Sequence, residues 1–328
     1  MHQRLYPISF TPILKPLLWG GSRIGAYKGL PHATDGIGES WEISAVDGSQ
    51  SVVAEGSLKG FTINQLIETY QELFVGEKVY QRYGDHFPLM VKLIDAAEDL
   101  SIQVHPNDEM AHKRHQTNGK TEMWYIIDAA PDSCLYAGLK PGVSSEDLQQ
   151  HLQSNSLCET LNKENAKAGD VFMIPAGRVH SIGAGILLAE VQQSSDVTYR
   201  LWDYDRLDAQ GNKRPLHVDL ALEAINYAHT GPHKTNYVKR PGRPVRLAEC
   251  PYFTANLLET DTVMVMDYKG LDSFVIWLCL EGEATYSSAG RNNGRIRQGN
   301  LLLFPACDQP KALIPNGPSV KILEVYIG

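Results

Sequence analysis

Two histidines, one glutamate and one glutamine stand out because their side chains are common metal ligands. Gln103 and His105 lie in Ser-Ile-Gln-Val-His-Pro-Asn, Glu122 in Gly-Lys-Thr-Glu-Met-Trp and His180 in Ile-Pro-Ala-Gly-Arg-Val-His-Ser. Two imidazoles, a carboxylate and an amide oxygen suit a first-row divalent metal, and zinc is the first choice for such a set of nitrogen and oxygen ligands. The sequence therefore predicts one zinc ion per chain at these four side chains.

Residue spacing supports this prediction. Side chains two residues apart on a strand point to the same face, so Ser101, Gln103 and His105 form one row. Lys120 and Glu122 form a second row. If the two strands pair with each other, the rows converge at one point.

Each ligand also has an ordinary interpretation. His105 precedes a proline and could be a turn residue, and His180 could lie at the surface after a Gly-Arg turn. Glu122 is harder to explain in this way, because a carboxylate on a mostly apolar strand needs a partner. His112 and His115 have helix-like spacing, but their polar surroundings predict an exposed loop without a metal.

Three further charges interrupt apolar segments. Lys92 lies in Leu-Met-Val-Lys-Leu-Ile, Glu190 in Leu-Leu-Ala-Glu-Val-Gln and Arg200 in Tyr-Arg-Leu-Trp. They belong either to an active site or to structural contacts. In the structural alternative, Lys92 extends from an edge strand, and Glu190 forms an ion pair with Arg200 inside a sandwich.

The elements that would position these residues are mainly short strands bounded by Gly, Pro, Asn or Asp. Helical apolar spacing, or a Ser cap followed by acids, predicts a few helices between them. The predicted strands are Tyr6 to Leu14, Ser40 to Ser44, Leu89 to Ile94, Ser101 to Val104, Met123 to Ile127, Val171 to Ile174, Ile186 to Gln192 and Thr198 to Trp202. The predicted helices are Ile63 to Phe74, Ser144 to about Ser154, and Pro215 to Tyr227.

An internal repeat indicates two similar β-units. The segment 168–176 aligns with 298–306, and 123–127 aligns with 274–278. We predict a mainly β fold of two jelly-roll β-sandwich units with a few inserted α-helices. The segment 229–244 is the candidate linker, which divides the chain into a catalytic domain, 1–235, and a C-terminal domain, 236–328. This alignment places Ser273 opposite Glu122 and Pro310 opposite His180, so the second domain is predicted to lack metal ligands.

Composition is that of a globular enzyme. The chain has 328 residues, is 43% hydrophobic and carries a formal charge of −8. This charge argues against nucleic acid or an anionic membrane as the partner. Neither a signal peptide nor a membrane span is predicted, and five cysteines without a Cys-x-x-Cys pair indicate reduced thiols. We expect a cytoplasmic enzyme for a small molecule, as a monomer or a small homo-oligomer.

Several segments resemble one enzyme family in the family's own order. They are Pro-Leu-Leu-Trp-Gly-Gly (16–21), Gln-Val-His-Pro-Asn-Asp (103–108), Gly-Lys-Thr-Glu-Met-Trp (119–124), Ile-Pro-Ala-Gly-Arg-Val-His (174–180) and Thr-Tyr-Arg-Leu-Trp-Asp-Tyr-Asp-Arg (198–206). The chain resembles the compact bacterial branch of the type I mannose-6-phosphate isomerases, zinc enzymes of the cupin superfamily. The resemblance implies two cupin units and a sugar phosphate substrate. It also implies active-site roles for Arg200 and Lys120, and phosphate binding by Ser101 and Lys92.

The implied reaction interconverts mannose 6-phosphate and fructose 6-phosphate by moving a proton between C2 and C1 through an enediol. A base must carry this proton, and the sequence leaves Lys120 and Glu190 as alternatives. Arg200 could stabilise the developing charge. The alternatives to an isomerase are an iron-dependent cupin dioxygenase and a catalytically silent sugar-phosphate-binding regulator. The glycine-rich segment 19–25 lacks a phosphate-loop ending and predicts a turn near the rim of the pocket.

Overall fold

A computed structural model describes residues 4–31, 35–228 and 231–328. Within these ranges the chain is mainly β, as predicted. The strands of the first part are β1 Phe10–Thr11, β2 Ile13–Gly21, β3 Ile37–Ile43, β4 Val52–Val53, β5 Leu89–Ala96, β6 Ile102–Val104, β7 Glu122–Ala129, β8 Cys134–Leu139, β9 Leu161–Asn165, β10 Val171–Ile174, β11 His180–Ile182, β12 Ile186–Gln193 and β13 Tyr199–Trp202.

The strands of the second part are β14 Val245–Glu249, β15 Thr254–Thr260, β16 Met264–Val265, β17 Val275–Glu281, β18 Glu283–Ser288, β19 Asn293–Arg297, β20 Leu301–Phe304, β21 Pro310–Pro315 and β22 Val320–Tyr326. The helices are α1 Arg23–Lys28, α2 Ile63–Tyr70, α3 Glu72–Val75, α4 Glu77–Tyr83, α5 Asp108–His115, α6 Ser145–Gln153 and α7 Val218–Ala224. Short 3₁₀ turns cover Leu157–Thr160 and Ala306–Asp308.

The first β-unit is a sandwich of two antiparallel sheets. Sheet I has the strand order β10-β7-β12-β5-β2-β3, and sheet II has the order β13-β6-β11-β8-β9. The buried side chains between them include Ile94, Trp124, Leu135 and Ile182. This interior is where the side chains with predicted chemistry lie, because their rows point inward from both sheets.

The second β-unit repeats this design with sheet III, β14-β15-β22-β17-β20, and sheet IV, β16-β21-β18-β19. Its own interior includes Trp277 and Phe304. The largest apolar cluster contains residues of both units, for example Val191 and Leu323. The outer faces of sheets I and III thus share one core, and burial of this apolar surface stabilises the two units together.

Strand register confirms the internal repeat and corrects its alignment. The order β10-β7-β12-β5 in sheet I matches β20-β17-β22-β15 in sheet III. Trp124 faces Phe172 across one strand pair, and Trp277 faces Leu302 across the equivalent pair. Val275, two residues beyond Ser273, is therefore the counterpart of Glu122. A two-residue shift keeps every side chain on its face of the sheet, so the apolar pattern could not detect it.

The predicted helices are present with shorter bounds. The segment predicted from Ile63 to Phe74 is broken into α2 and α3 at Gln71, whose φ is 47°. Ser144 caps α6 as predicted, because its side chain accepts a hydrogen bond from the Asp147 N–H. The predicted helix from Pro215 to Tyr227 is reduced to α7.

Two loop predictions were wrong. The glycine-rich segment predicted as a turn is the end of β2 followed by α1. The loop predicted around His112 and His115 is α5, whose first turn is capped by Asn107. Asn107 and the acids after it stabilise a helix that has little apolar periodicity.

The predicted linker has no strand or helix in its described part, 231–244. His229 and Thr230 of this segment lie outside the described residues, as do residues 1–3 and 32–34. Within the described ranges, no helix is both long enough and apolar enough to cross a membrane. All five cysteines are free.

Gly20 provides a test of the packing at the end of β2. A Cβ atom at Gly20 would lie 2.3 Å from the Gly36 carbonyl oxygen and 2.5 Å from the Gly38 nitrogen, and neither backbone atom can move freely. We expect Gly20→Ala to lower the free energy of unfolding by about 1–3 kcal/mol, measured by urea denaturation. Gly317→Ala is the control, because a Cβ there meets no atom within 4 Å. Equal stability of the two variants would contradict this packing.

Candidate metal centre and active-site cavity

The predicted ligands come together from facing sheets. In sheet II, Gln103 is the register partner of His180 on one side and of Arg200 on the other. Glu122 begins β7 in sheet I, and Lys120 lies two residues before it. The two ligand-bearing strands do not pair, because β6 and β7 belong to different sheets. The rows converge because both point into the sandwich.

His105, Glu122 and His180 form a compact buried group. The His105 Nε2 atom lies 3.5 Å from Glu122 Oε2, and the His180 Nε2 atom lies 3.4 Å from Glu122 Oε1. One ligand atom from each residue falls within 4.8 Å of the other two. All three residues are at most 1% exposed. Among the described residues, no other group of three His, Cys, Asp or Glu meets this criterion.

Backbone carbonyls orient both imidazoles. His105 Nδ1 lies 2.9 Å from the Val197 carbonyl oxygen, and His180 Nδ1 lies 2.8 Å from the Arg178 carbonyl oxygen. A carbonyl oxygen only accepts hydrogen bonds, so each Nδ1 carries the proton and donates it. This tautomer leaves each Nε2 lone pair directed at Glu122, as in histidines that bind metals.

Burial keeps the two histidines neutral. It lowers the pKa of His180 to about 4 and lowers the pKa of His105 well below its ordinary value, and Lys120 adds to the second shift. Burial, followed by the nearby Glu190, raises the pKa of Glu122. Among the described residues, Glu122 Oε1 has no hydrogen-bond partner, and Oε2 has only the ammonium group of Lys120 beside it. Two neutral imidazoles around such a carboxyl group fit a divalent cation by the chemistry of the donors.

Gln103 and Lys120 complete the surroundings of this group. The Gln103 Nε2 atom lies 3.3 Å from His180 Nε2, and its Oε1 accepts a hydrogen bond from Ser101. Rotation of this amide by 180° would present Oε1 to the same point. Lys120 Nζ lies 3.1 Å from Glu122 Oε2 and 3.2 Å from His105 Nε2, so its ammonium group offsets the carboxylate charge.

A cavity of about 200 Å³ lies beside the group. Every residue predicted to be catalytic or to bind phosphate lines it, and so does Gln103. Those residues are Lys92, Ser101, Lys120, Glu190 and Arg200. The size suits a small molecule, and its lining combines several charges with the aromatic side chains of Trp19, Trp41 and Trp124.

A row of paired side chains crosses sheet I beside the cavity. Glu190 on β12 faces Lys92 on β5 and Trp124 on β7. Lys92 Nζ lies 3.4 Å from Glu190 Oε1 and 3.6 Å from Glu39 Oε2. Burial disfavours the ammonium form of Lys92, but Glu39 and Glu190 outweigh it and raise its pKa. The edge-strand interpretation of Lys92 was therefore wrong, since β5 lies inside the sheet and Lys92 is 5% exposed.

Glu190 and Arg200 do not form the ion pair considered as a structural alternative. Glu190 Oε2 accepts a hydrogen bond of 2.9 Å from Trp124 Nε1, and its Oε1 faces Lys92. Arg200 donates to the Ser101 hydroxyl at 3.3 Å and to the Pro215 carbonyl at 3.0 Å. Both charged groups thus remain available to the cavity.

Some cavity residues were missed by sequence reasoning. Glu39 and Trp41 share a face of β3, and their alternation with Ser40 was a usable signal. Arg214 lies in a polar segment without any period, so no signal could have identified it. The other missed polar or aromatic residues of the lining are Trp124, Asp196 and Thr198.

A larger cavity, of about 580 Å³, lies next to the first one and shares Asp196 with it. Its lining includes His112, His115 and Arg82. His115 contacts the Tyr199 hydroxyl at 2.7 Å, and neither histidine belongs to a metal-binding group of the described residues. Although it is larger, this cavity lacks buried carboxylates and is not the candidate site.

Known proteins are similar to this chain in sequence and in architecture. The family model of the type I phosphomannose isomerase catalytic domain matches residues 10–130. Mannose-6-phosphate isomerase ManA of Bacillus subtilis is 36% identical over 302 residues, which cover 91% of this chain and 93% of that protein. A mannose-6-phosphate isomerase of Streptococcus mutans is 33% identical, over 91% of this chain and 92% of its own length.

Solved structures agree. The crystal structure of mannose 6-phosphate isomerase from Bacillus subtilis superposes with a TM-score of 0.86 and 32% identity, covering 98% of this chain and 99% of that one. A putative mannosephosphate isomerase from Archaeoglobus fulgidus shares the fold, with a TM-score of 0.80 at 22% identity over 98% and 97% of the two chains. The chain therefore belongs to the type I mannose-6-phosphate isomerase family.

Proposed function

We propose that this protein is a zinc-dependent isomerase that interconverts mannose 6-phosphate and fructose 6-phosphate. The observation that carries the proposal is the buried His105–Glu122–His180 group beside a cavity lined by lysines and arginines. Family membership supports the substrate class, since the relatives at 36% and 33% identity are named mannose-6-phosphate isomerases. The choice of zinc rests on donor chemistry, because imidazole nitrogens and a carboxylate oxygen are ligands that zinc accepts readily.

Gln103, His105, Glu122 and His180 are the proposed ligands of one zinc ion per chain. When bound, zinc would supply a Lewis acid that polarises the sugar oxygens at C1 and C2. Carbonyls of Val197 and Arg178 would keep the histidine rings in the ligand tautomer. Gln103 would provide a neutral oxygen, so that Glu122 is the single anionic ligand.

Glu190 and Lys120 are the proposed carriers of the proton between C2 and C1. Burial opposes ionisation of Glu190, but Lys120 and Lys92 outweigh it and lower its pKa. Glu190 is therefore ionised near neutral pH, and its Oε1 has no hydrogen-bond partner among the described residues. Trp124 fixes the other oxygen. A carboxylate held in this way can accept a proton without first losing one, which favours Glu190 over Lys120 as the base.

Arg200 is proposed to stabilise negative charge that develops on the substrate. Its guanidinium stays protonated at any working pH, so it cannot act as the base. Its hydrogen-bond partners, Ser101 and Pro215, are neutral groups. The charge of Arg200 is thus available to the substrate.

Phosphate binding by Ser101 and Lys92 stays a prediction. The Ser101 hydroxyl lies between Gln103 and Arg200, within reach of the cavity. Lys92 lines the cavity too, but Glu39 and Glu190 already balance its charge. Removal of Lys92 would leave two buried carboxylates close together, so its loss would change more than phosphate affinity.

The domain division is also proposed from the sequence. We assign residues 1–235 to the catalytic cupin unit and 236–328 to a cupin-like unit that binds no metal. Support comes from Val275, which stands where the first unit has Glu122. The cytoplasmic location and the state of monomer or small homo-oligomer stay predictions.

Two other functions were considered. A dioxygenase would use iron at the same two histidines and glutamate, but Gln103 would then occupy a position that oxygen needs. A silent regulator would not need the ionised Glu190 beside Arg200.

Metal removal tests the proposed cofactor. Dialysis against a chelator should abolish formation of fructose 6-phosphate, and addition of Zn²⁺ should restore it, because the metal stabilises charge that forms only during the reaction. The measurement is a coupled assay together with metal analysis. Activity restored only by ferrous iron, with consumption of oxygen, would support the dioxygenase instead.

Proton release on metal uptake tests the charge state of the ligands. Burial raises the pKa of Glu122 to about 8 and lowers that of His180 to about 4. At pH 6 the metal must therefore displace one proton from Glu122 and none from His180, so affinity should weaken about tenfold per unit as the pH falls below 8. Titration calorimetry in two buffers of different ionisation enthalpy counts the protons. Release of two or more protons would show that the free histidines are charged.

Substitutions distinguish the two candidate bases. We expect Glu190→Gln to lower kcat about 10²- to 10⁴-fold with unchanged metal content, because the amide keeps the shape but cannot accept the proton. The lowered pKa of Glu190 places the acid limb of the wild-type pH profile below 4.5. Lys120→Met is the comparison, with exchange of the C2 hydrogen into solvent as readout. If exchange persists in Glu190→Gln and is lost in Lys120→Met with metal still bound, Lys120 is the base.

A further inference from the structure

The cations that line the cavity differ in how their charges are balanced. Lys92 lies between Glu39 and Glu190, and Lys120 lies against Glu122. Both lysines are at most 5% exposed. The charge of Lys92 is thus offset by two carboxylates, and Lys120 lies against the metal group, so neither lysine is placed to bind a separate dianionic group.

The two arginines of the cavity, Arg200 and Arg214, are less completely balanced. Arg200 contacts neutral oxygens, whereas Arg214 donates from Nε to Asp203 at 2.7 Å and from Nη2 to the same carboxylate. Arg214 Nη1 has no hydrogen-bond partner among the described residues. This guanidinium is therefore fixed on one edge and free on another.

Asp203 accepts hydrogen bonds from two arginines, Arg206 and Arg214. It is 4% exposed, and its hydrogen bond from Arg206 is 2.7 Å long. Together with Arg200, three positive charges surround this one buried negative charge. Arg206 has a second acidic neighbour in Glu98, at 3.5 Å, whose side chain is 62% exposed and thus well screened. The three arginines therefore carry more positive charge than Asp203 offsets, and this excess charge lies beside the cavity.

Local backbone geometry places Arg214 at the cavity. Tyr204 and Asp205 both have φ of 55°, which turns the chain directly after Asp203. A bridge between Leu207 and Lys213 then closes a short hairpin and returns the chain to the cavity. Burial, followed by repulsion from Arg214, lowers the pKa of Arg200, as expected for two nearby guanidinium groups.

We propose that Arg214 is a substrate-binding residue that binds the phosphate group of the sugar, and that Asp203 is the positioning residue that holds Arg214 in place. A guanidinium group with free N–H donors suits a phosphate, because it can donate two parallel hydrogen bonds to it. This proposal rests on the proposed function and assigns a role to Asp203 and Arg214, which the reaction itself leaves unused.

The test compares Arg214→Met with Lys213→Met in the zinc-loaded enzyme. Lys213 is the matched control, since it is adjacent, cationic and 62% exposed, and its ammonium group pairs with the exposed Asp205 and does not line the cavity. We expect Arg214→Met to raise KM for mannose 6-phosphate roughly 10- to 100-fold, with a much smaller change in kcat, because a charged hydrogen-bond donor is lost. The inhibition constant of inorganic phosphate should rise by a similar factor, while turnover of free mannose should not change.

Asp203→Asn and Arg214→Lys complete the design. Asp203→Asn removes the charged contact that holds Arg214. It should raise KM for the phosphorylated sugar but not for free mannose, whereas loss of a merely structural contact would affect both sugars. Arg214→Lys should recover part of the affinity. A KM of Arg214→Met for mannose 6-phosphate within twofold of the wild-type KM would overturn the proposal. Equal losses of activity on phosphorylated and free mannose would overturn it as well.

A separate measurement keeps this proposal independent of the isomerase reaction. Titration calorimetry with inorganic phosphate detects the anion site whether or not the protein isomerises mannose 6-phosphate. Binding to wild type and Lys213→Met, with loss in Arg214→Met, supports the anion site even if the coupled assay shows no activity. Equal binding to wild type and Arg214→Met would reject the site while leaving the isomerase function intact.

Discussion

The burial of the Glu122 carboxyl group between two neutral imidazoles is the constraint on which the site depends. A buried carboxylate with one unpaired oxygen is unfavourable unless a cation compensates it. His105 and His180 cannot provide that charge, because burial lowers their pKa values and keeps them neutral. Their hydrogen bonds to backbone carbonyls leave Nε2 as the acceptor atom of each ring. Lys120 provides part of it from 3.1 Å. The remaining demand for positive charge is what a divalent metal would meet.

The cavity extends this electrostatic arrangement away from the metal group. Lys92 links Glu39 and Glu190 inside sheet I, and Trp124 fixes the carboxylate that faces the cavity. These contacts balance the charge of Lys92, which together with Lys120 lowers the pKa of Glu190. The arginines from sheet II and its following hairpin carry the uncompensated charge. Proton transfer and anion binding are thereby assigned to different cations, which allows each to be tuned separately.

The sequence predicted the fold and the residues that gather at the candidate metal centre better than it predicted which strands and side chains are neighbours. Gln103, His105, Glu122 and His180 could be found because strand alternation keeps inward residues in register along each strand. Which strands pair depends on contacts between distant segments, which the sequence does not record. Neither the pairing of β6 with β7, on which the spacing argument was conditional, nor the alternative ion pair of Glu190 with Arg200 is present. Arg214 reaches the cavity through a hairpin turn, which no periodic pattern records.

The second unit has a buried glutamate, Glu324, at the position equivalent to Glu190 of the first unit. Trp277 and Asn256 flank Glu324 in sheet III at the same register as Trp124 and Lys92 flank Glu190 in sheet I. Both glutamates are buried, yet their pKa values shift in opposite directions: burial raises that of Glu324, whereas the lysines outweigh burial and lower that of Glu190. Asparagine carries no charge, and Tyr268 donates a hydrogen bond to Glu324 from inside the sandwich. The same fold and the same strand positions thus hold the proposed base in one unit and a carboxyl group embedded in the core in the other. The chemistry follows from the cation beside the glutamate, not from the β-sandwich that carries it.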